Sequence, residues 1–167
     1  MKSFQKIFIL LFLFYSCKVE KNTNSKEEWV SLFNGKDLNG WNIKIANHSL
    51  NDNFNNTFQV QDSMIRVVYT EYDDFDDKYG HMYYKTPYSY YKLRFDYRFI
   101  EEQTSGGENW NVRNSGVMIH SQSAKSNAFE QHFPVSLEIQ LLGGLNKGER
   151  TTANLCTPGT AVYFNGK

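Results

Sequence analysis

The chain is short of cysteine, of net charge and of helical periodicity, and each shortage removes a class of protein. Cys17 and Cys156 are its only cysteines in 167 residues, so a small disulfide-stapled fold is excluded. Eighteen basic residues balance eighteen acidic ones and are scattered among them rather than gathered in a stripe, which argues against a nucleic-acid partner. From Trp29 onward no stretch of twelve residues places apolar side chains at i, i+3, i+4 and i+7, so helical bundles are excluded. The apolar run at residues 7–14 is too short to span a bilayer as a helix.

That run has another reading. Lys2 and Lys6 precede it, and its length is that of a signal-peptide hydrophobic region, so export is expected. Phe14-Tyr15-Ser16-Cys17 resembles a bacterial lipoprotein box, with the small Ser16 directly before a cysteine to be acylated. Residues 1–16 are then a lipoprotein signal peptide, Cys17 the lipidated residue, and the Lys/Asn/Ser-rich residues 17–27 a polar tether that holds the protein at a membrane facing the periplasm or cell surface. An ordinary secretory signal with a coincidental cysteine is the alternative. Residues 1–16 carry two lysines and no acid, so 16 basic residues remain against 18 acidic ones after cleavage, a formal charge of −2. Cys156 is left as a lone thiol and reads as a small buried residue rather than a nucleophile.

The rest of the chain, residues 28–167, suits one domain. Short alternating runs separated by Gly, Asn, Asp and Pro predict an all-β fold with strands at residues 29–33, 40–45, 58–61, 64–68, 80–84, 90–99, 115–120, 136–142 and 161–164. The clearest alternation lies in residues 92–99, where Leu93, Phe95, Tyr97 and Phe99 share one face and Lys92, Arg94, Asp96 and Arg98 the other. Hairpin turns are expected at Asn34-Gly35-Lys36-Asp37 and at Gln61-Asp62-Ser63. Many short strands joined this way predict two packed antiparallel sheets, a β-sandwich or jelly roll. Phe164-Asn165-Gly166-Lys167 reads as a turn whose return strand is missing, so a truncated record or gene is expected.

Two of the strands carry a polar face. Ser136, Glu138 and Gln140 oppose Leu137, Ile139 and Leu141, which are expected to enter a core; Asn114, Gly116, Met118 and His120 oppose Ser115, Val117 and Ile119. Long loops flank the pair: residues 101–113 contain Gly106, Gly107 and Trp110, and residues 121–134 contain Phe129, Glu130, His132 and Phe133. Strand parity thus allows a histidine, a carboxylate and two amides to share one groove.

Several segments together resemble the 3-keto-disaccharide hydrolase family. They are Leu32-Phe33-Asn34-Gly35-Lys36-Asp37-Leu38-Asn39-Gly40-Trp41, residues 91–99, Asn114-Ser115-Gly116-Val117, and Glu138-Ile139-Gln140-Leu141-Leu142-Gly143-Gly144. Asn154-Leu155-Cys156-Thr157-Pro158-Gly159-Thr160 is similar to one subgroup of that family. The resemblance covers residues 28–167 and implies a concanavalin-like lectin/glucanase fold, two curved antiparallel sheets with a ligand groove on the concave face. It also implies that further C-terminal strands belong to the domain.

The activity implied is cleavage of a glycoside whose sugar carries a ketone at C3. That ketone acidifies the C2 proton, after which the glycosidic oxygen on C1 can leave by elimination, and water adding to the enone completes a net hydrolysis. Such a site needs a base near C2, donors for the enolate oxygen and an acid for the leaving oxygen, but not the two opposed carboxylates of an ordinary glycosidase. Gln140 stands where a second inward carboxylate would otherwise be.

His120 is a candidate base because imidazole titrates near neutrality, with His132 as its competitor. Glu138 is a candidate acid, base or cation ligand, or else an ion-pair partner of Arg94 or Arg98. Asn114 and Gln140 would bond sugar hydroxyls or the keto oxygen, and Arg98 would polarise that oxygen. Trp110, Tyr83, Tyr84 and Tyr88 are candidates to stack on sugar rings. A divalent metal on His120, Glu138 and His132 is left open, and the acidic Asp73, Asp74, Asp76 and Asp77 read as a solvated turn rather than a calcium loop. A carbohydrate-binding module without chemistry is the alternative function, and an inactive fragment a third.

Overall fold

The computed structural model describes residues 28–100 and 102–165, so the signal peptide, the tether and Cys17 lie outside the described residues. The chain divides into two units, residues 1–30 and residues 31–167. Of the first unit only residues 28–30 are described, and they have no regular structure. No helix among the described residues is long and apolar enough to cross a membrane.

The second unit is all-β and antiparallel. Among the described residues its seven strands are β1 (Trp41–Ile45), β2 (Phe58–Gln61), β3 (Met64–Val67), β4 (Gly80–Tyr84), β5 (Asn114–Ile119), β6 (Leu137–Leu142) and β7 (Asn154–Cys156), with short 3-10 turns at Phe54–Asn56, Asn109–Asn111 and Ala124–Ser126. They pair as β1 with β4, β2 with β3, and β5-β6-β7.

The turn between β2 and β3 follows the sequence. Asp62 and Ser63 both have positive φ, 51° and 56°, as a two-residue hairpin loop matched to strand twist requires. At residues 34–37 the outcome differs. Asn34 Oδ1 accepts from the backbone N–H groups of Lys36 (2.8 Å) and Asp37 (3.0 Å), and Asn34 Nδ2 donates to Asp37 Oδ1 (2.7 Å). That donation, with others from Asn39, holds the Asp37 carboxyl below its ordinary pKa. The turn is closed by its own side chains, no strand forms at residues 29–33, and the expected hairpin there is absent.

The larger correction falls on residues 90–99, which form no strand and join no ladder. Tyr97 contacts Phe95 at 6.0 Å and Phe99 at 5.8 Å between ring centroids, so the alternation does group these side chains. Leu93, Phe95 and Tyr97 are nevertheless exposed, because no described strand lies beside them to supply hydrogen-bond partners. Residues 161–164 likewise form no strand, and Tyr163 and Phe164 are exposed.

The core sits under the β1–β4 sheet. Ile43 and Ile45 of β1 and Phe58 of β2 are buried together, with Leu38, Phe54 and Met82 packed against them. The opposite face of the same sheet carries Lys44 and its cross-strand partner His81. Lys44 is 3% exposed, and its ammonium donates to the carbonyls of Ile45 (2.9 Å), His48 (2.8 Å) and Phe129 (3.1 Å). All three of its protons are used, which offsets the cost of burying the charge even though burial still lowers its pKa. The bond to Phe129 fastens residues 121–134 over this face. Leu137, Ile139 and Leu141, by contrast, are only half-buried, so the expected core beneath β6 is shallow.

Candidate functional site

The register between β5 and β6 decides which side chains meet. Gly116 lies opposite Gln140 and Met118 opposite Glu138, while β7 sets Cys156 opposite Glu138 and Asn154 opposite Gln140. Residues directly opposite in a sheet share a face. The polar face therefore carries Asn114, Gly116, Glu138 and Gln140 together, as their parity predicts, and adds Asn154 and Cys156 from a strand the sequence did not reveal.

Glu138 lies at the centre of this face. Its carboxylate rests over Gly116, so closely that a β-carbon at that position would overlap it. The glycine is thus required for space rather than for backbone freedom. Glu138 is half-buried, and no hydrogen bond or ion pair reaches it from the described residues. Arg98, one of the ion-pair partners the sequence offered for it, is exposed on residues 90–99. Burial without a compensating donor pushes its carboxyl above the ordinary value. Burial also raises the Cys156 thiol, and the neighbouring Glu138 charge adds to that, so the thiol is a poor nucleophile. Beside them Asn154 Nδ2 donates to Gln140 Oε1 at 3.3 Å, which orients the Gln140 amide.

At the other end of the face, Asn114 Nδ2 donates to the Trp110 carbonyl (3.0 Å). Arg150 reaches the same turn with donations to Val112 O (2.5 Å), Gly143 O (3.2 Å) and Trp110 O (3.4 Å). Trp110 stacks on Tyr79 with planes 7° apart and centroids 5.8 Å apart. Tyr79 in turn contacts His132 (5.1 Å) and Phe133 (4.7 Å). Asn114, Trp110 and His132 are thereby linked through one aromatic cluster.

The structure does not extend strand parity to His120. The strand ends at Ile119, and His120 has φ of 49°, so the chain turns there and leaves the ring exposed. His132 is held in the aromatic cluster, and its carbonyl accepts from His81 Nε2 (2.6 Å). His81 is a histidine the sequence reading passed over. Burial lowers its pKa, the bond to the His132 carbonyl works against that, and the nearby Lys44 charge lowers it further.

The three candidate metal ligands are therefore not brought together, and no three His, Cys, Asp or Glu side chains form a metal-binding group among the described residues. Asp73, Asp74 and Asp76 line a separate open pocket of about 340 Å³ with Lys78, which pairs with Asp76 at 2.5 Å. Tyr83 has a buried hydroxyl with no partner among the described residues and a pKa pushed up to about 12 by burial. Tyr84 packs on Trp41 and stacks with Tyr88. No described contact joins these three tyrosines to Glu138.

A carboxylate over a glycine, flanked by two amides, is the arrangement the motif resemblance marks. A family model described as the 3-keto-alpha-glucoside-1,2-lyase-like domain matches residues 28–165. The chain belongs to this family. Membership ties it to carbohydrate and to 3-keto-glycoside chemistry, and residues 114–117 and 138–144 of the matched span form the polar-faced sheet. No curated protein and no solved structure gives a match.

Proposed function

We propose that the protein cleaves 3-keto-glycosides by elimination across C1 and C2, with Glu138 as the proton-transferring group. The observation that carries this reading is the Glu138 carboxyl itself: half-buried, raised in pKa, without an ion-pair partner among the described residues, and set over Gly116 where space is open only because a side chain is missing. A carboxylate made more basic by burial is suited to removing the C2 proton. The C–H electrons pass to the ketone oxygen as an enolate, the C1–O bond then breaks, and the leaving oxygen takes up a proton from Glu138 or water. Water adding to the enone completes a net hydrolysis.

Gln140, whose amide is oriented by Asn154, supplies a donor for the enolate oxygen or a sugar hydroxyl. His120 is exposed directly after the end of β5. The family's 1,2-lyase description supports elimination as the bond-breaking step. A concanavalin-like pair of curved sheets is the fold we assign to the whole domain, supported by the antiparallel sheets seen here. Export and lipid anchoring through Cys17 are part of the same reading, supported by Lys2, Lys6, the apolar residues 7–14 and Ser16.

The test is release of the aglycone from a 3-keto-glucoside by the purified protein. Release that falls with Glu138→Gln supports the assignment, and sugar binding by folded protein without turnover shows a binding module instead. Fatty-acid labelling of the expressed chain, lost in Cys17→Ser, tests the anchor.

A further inference from the structure

Glu138 and Gln140 stand in neighbouring rows of the three-stranded sheet. The register puts Met118, Glu138 and Cys156 in one row and Gly116, Gln140 and Asn154 in the next. Because the Glu138 carboxylate lies over Gly116, it has crossed from its own row into the row of Gln140. Residues directly opposed in a sheet are about 5 Å apart. The carboxylate and the Gln140 side chain are thus side by side, and the end of that amide turned toward a ligand decides what the site offers next to its base.

A backbone carbonyl sets this polarity. The Thr151 hydroxyl donates to Asn154 Oδ1 (3.2 Å), and Asn154 Nδ2 donates to the Thr151 carbonyl (3.2 Å). A carbonyl oxygen only accepts, so the nitrogen of Asn154 must lie toward it. The other Nδ2 proton goes to Gln140 Oε1 (3.3 Å), while Ala153 N–H donates to the Gln140 backbone carbonyl (2.8 Å) and holds β7 at this row. Oε1 is therefore turned to β7 and Nε2 away from it. No described residue takes the Nε2 protons. The carboxylate over Gly116 is on the side away from β7 as well, since β6 runs between β5 and β7.

We propose that Asn154, anchored by Thr151, is a positioning residue that locks the Gln140 amide with its donor end beside Glu138, and that this donor receives the enolate oxygen. The assignment to the enolate rests on the elimination reading above. Glu138 takes the C2 proton, the C–H electrons pass to the ketone oxygen on the adjacent carbon, and Gln140 Nε2–H meets the charge that forms there. A base and a donor one cross-strand spacing apart match a proton and an oxygen on adjacent carbons.

The experiment compares wild type, Asn154→Asp, Asn154→Ala, Gln140→Ala and the double variant Asn154→Asp/Gln140→Ala on a 3-keto-glucoside. An aspartate keeps the size of asparagine but as a carboxylate only accepts, so it draws Nε2 to β7 and turns Oε1 toward the enolate. Asn154→Asp and Gln140→Ala should each lower kcat about a hundredfold, the range for losing an oxyanion donor. Asn154→Ala, which frees the amide without inverting it, should lose less. The double variant should be within about threefold of Gln140→Ala, because both changes remove the same donor. A merely structural asparagine would be replaced better by Asp than by Ala, and the loss from Asp would persist without Gln140; either result overturns the proposal. Nitrogen-15 spectra give a readout that needs no turnover. The Gln140 side-chain amide signals, identified by their absence in Gln140→Ala, should move downfield and exchange more slowly with water in Asn154→Asp, where a carboxylate binds them. Unchanged signals overturn the lock. If wild type cleaves no 3-keto-glucoside, the elimination reading falls and the enolate assignment with it, and these signals decide the lock alone.

Discussion

Residues 90–99 alternate polar and apolar side chains more clearly than residues 114–119, yet the latter lie in the middle of the candidate site and the former join no sheet. Alternation reports which side chains share a face; it does not report whether a neighbouring strand exists to take up the backbone hydrogen bonds. β5 has β6 beside it, and β6 has β7, so Glu138 is flanked on both sides. Leu93, Phe95 and Tyr97 have the pattern without the neighbour, and they stay exposed.

Four substitutions bear on this contrast. The largest effect is expected at Glu138: Glu138→Gln should lower kcat on a 3-keto-glucoside by about a hundredfold or more, the range for losing a general base. The same change should also alter the pH dependence of stability. A carboxyl whose folded pKa is raised makes the fold less stable as pH climbs above the ordinary value of 4.5, and urea midpoints of Glu138→Gln should lack that decline.

Next comes Gly116→Val, which drives a side chain into the Glu138 carboxylate and should cost about 2–3 kcal/mol of stability by urea denaturation, with activity lost as well. A smaller effect is expected at His81. Its lowered pKa means the unfolded chain binds the proton first, so stability should be complete above the ordinary imidazole value of 6.5 and fall as pH drops below it. His81→Gln should flatten that acid limb in thermal melts at stepped pH. Smallest of all is Tyr97→Ser, expected to shift stability by less than about 0.5 kcal/mol as an exposed residue outside any ladder. A large loss at Tyr97 would show that residues 90–99 do pair with a partner strand.

Much of the polar face was legible because a period of two needs only local sequence. Asn114, Gly116, Glu138 and Gln140 were grouped correctly, and the register then placed them on one side. β7 was not legible as a strand, since Asn154-Leu155-Cys156 is too short for its alternation to stand out from a loop. His120 was carried one residue too far, because a positive φ at the strand end reverses direction and leaves no mark in the residue type. The role of His81 was hidden as well, since what lowers its pKa is burial and then a lysine on the adjacent strand, opposed by a carbonyl 51 positions away in sequence. Long-range partners of this kind follow from topology rather than from pattern.

Lys44 treats three carbonyl oxygens much as a metal ion treats its coordination sphere: a fixed charge surrounded by inward-pointing dipoles, with no counter-anion among its hydrogen-bond partners. Ions in solution have no opposite charge to compete for, so high ionic strength should leave this fastening of residues 121–134 intact where it would loosen a surface ion pair. The segment carrying His132 and Phe133 is therefore riveted to β1 rather than hinged on it.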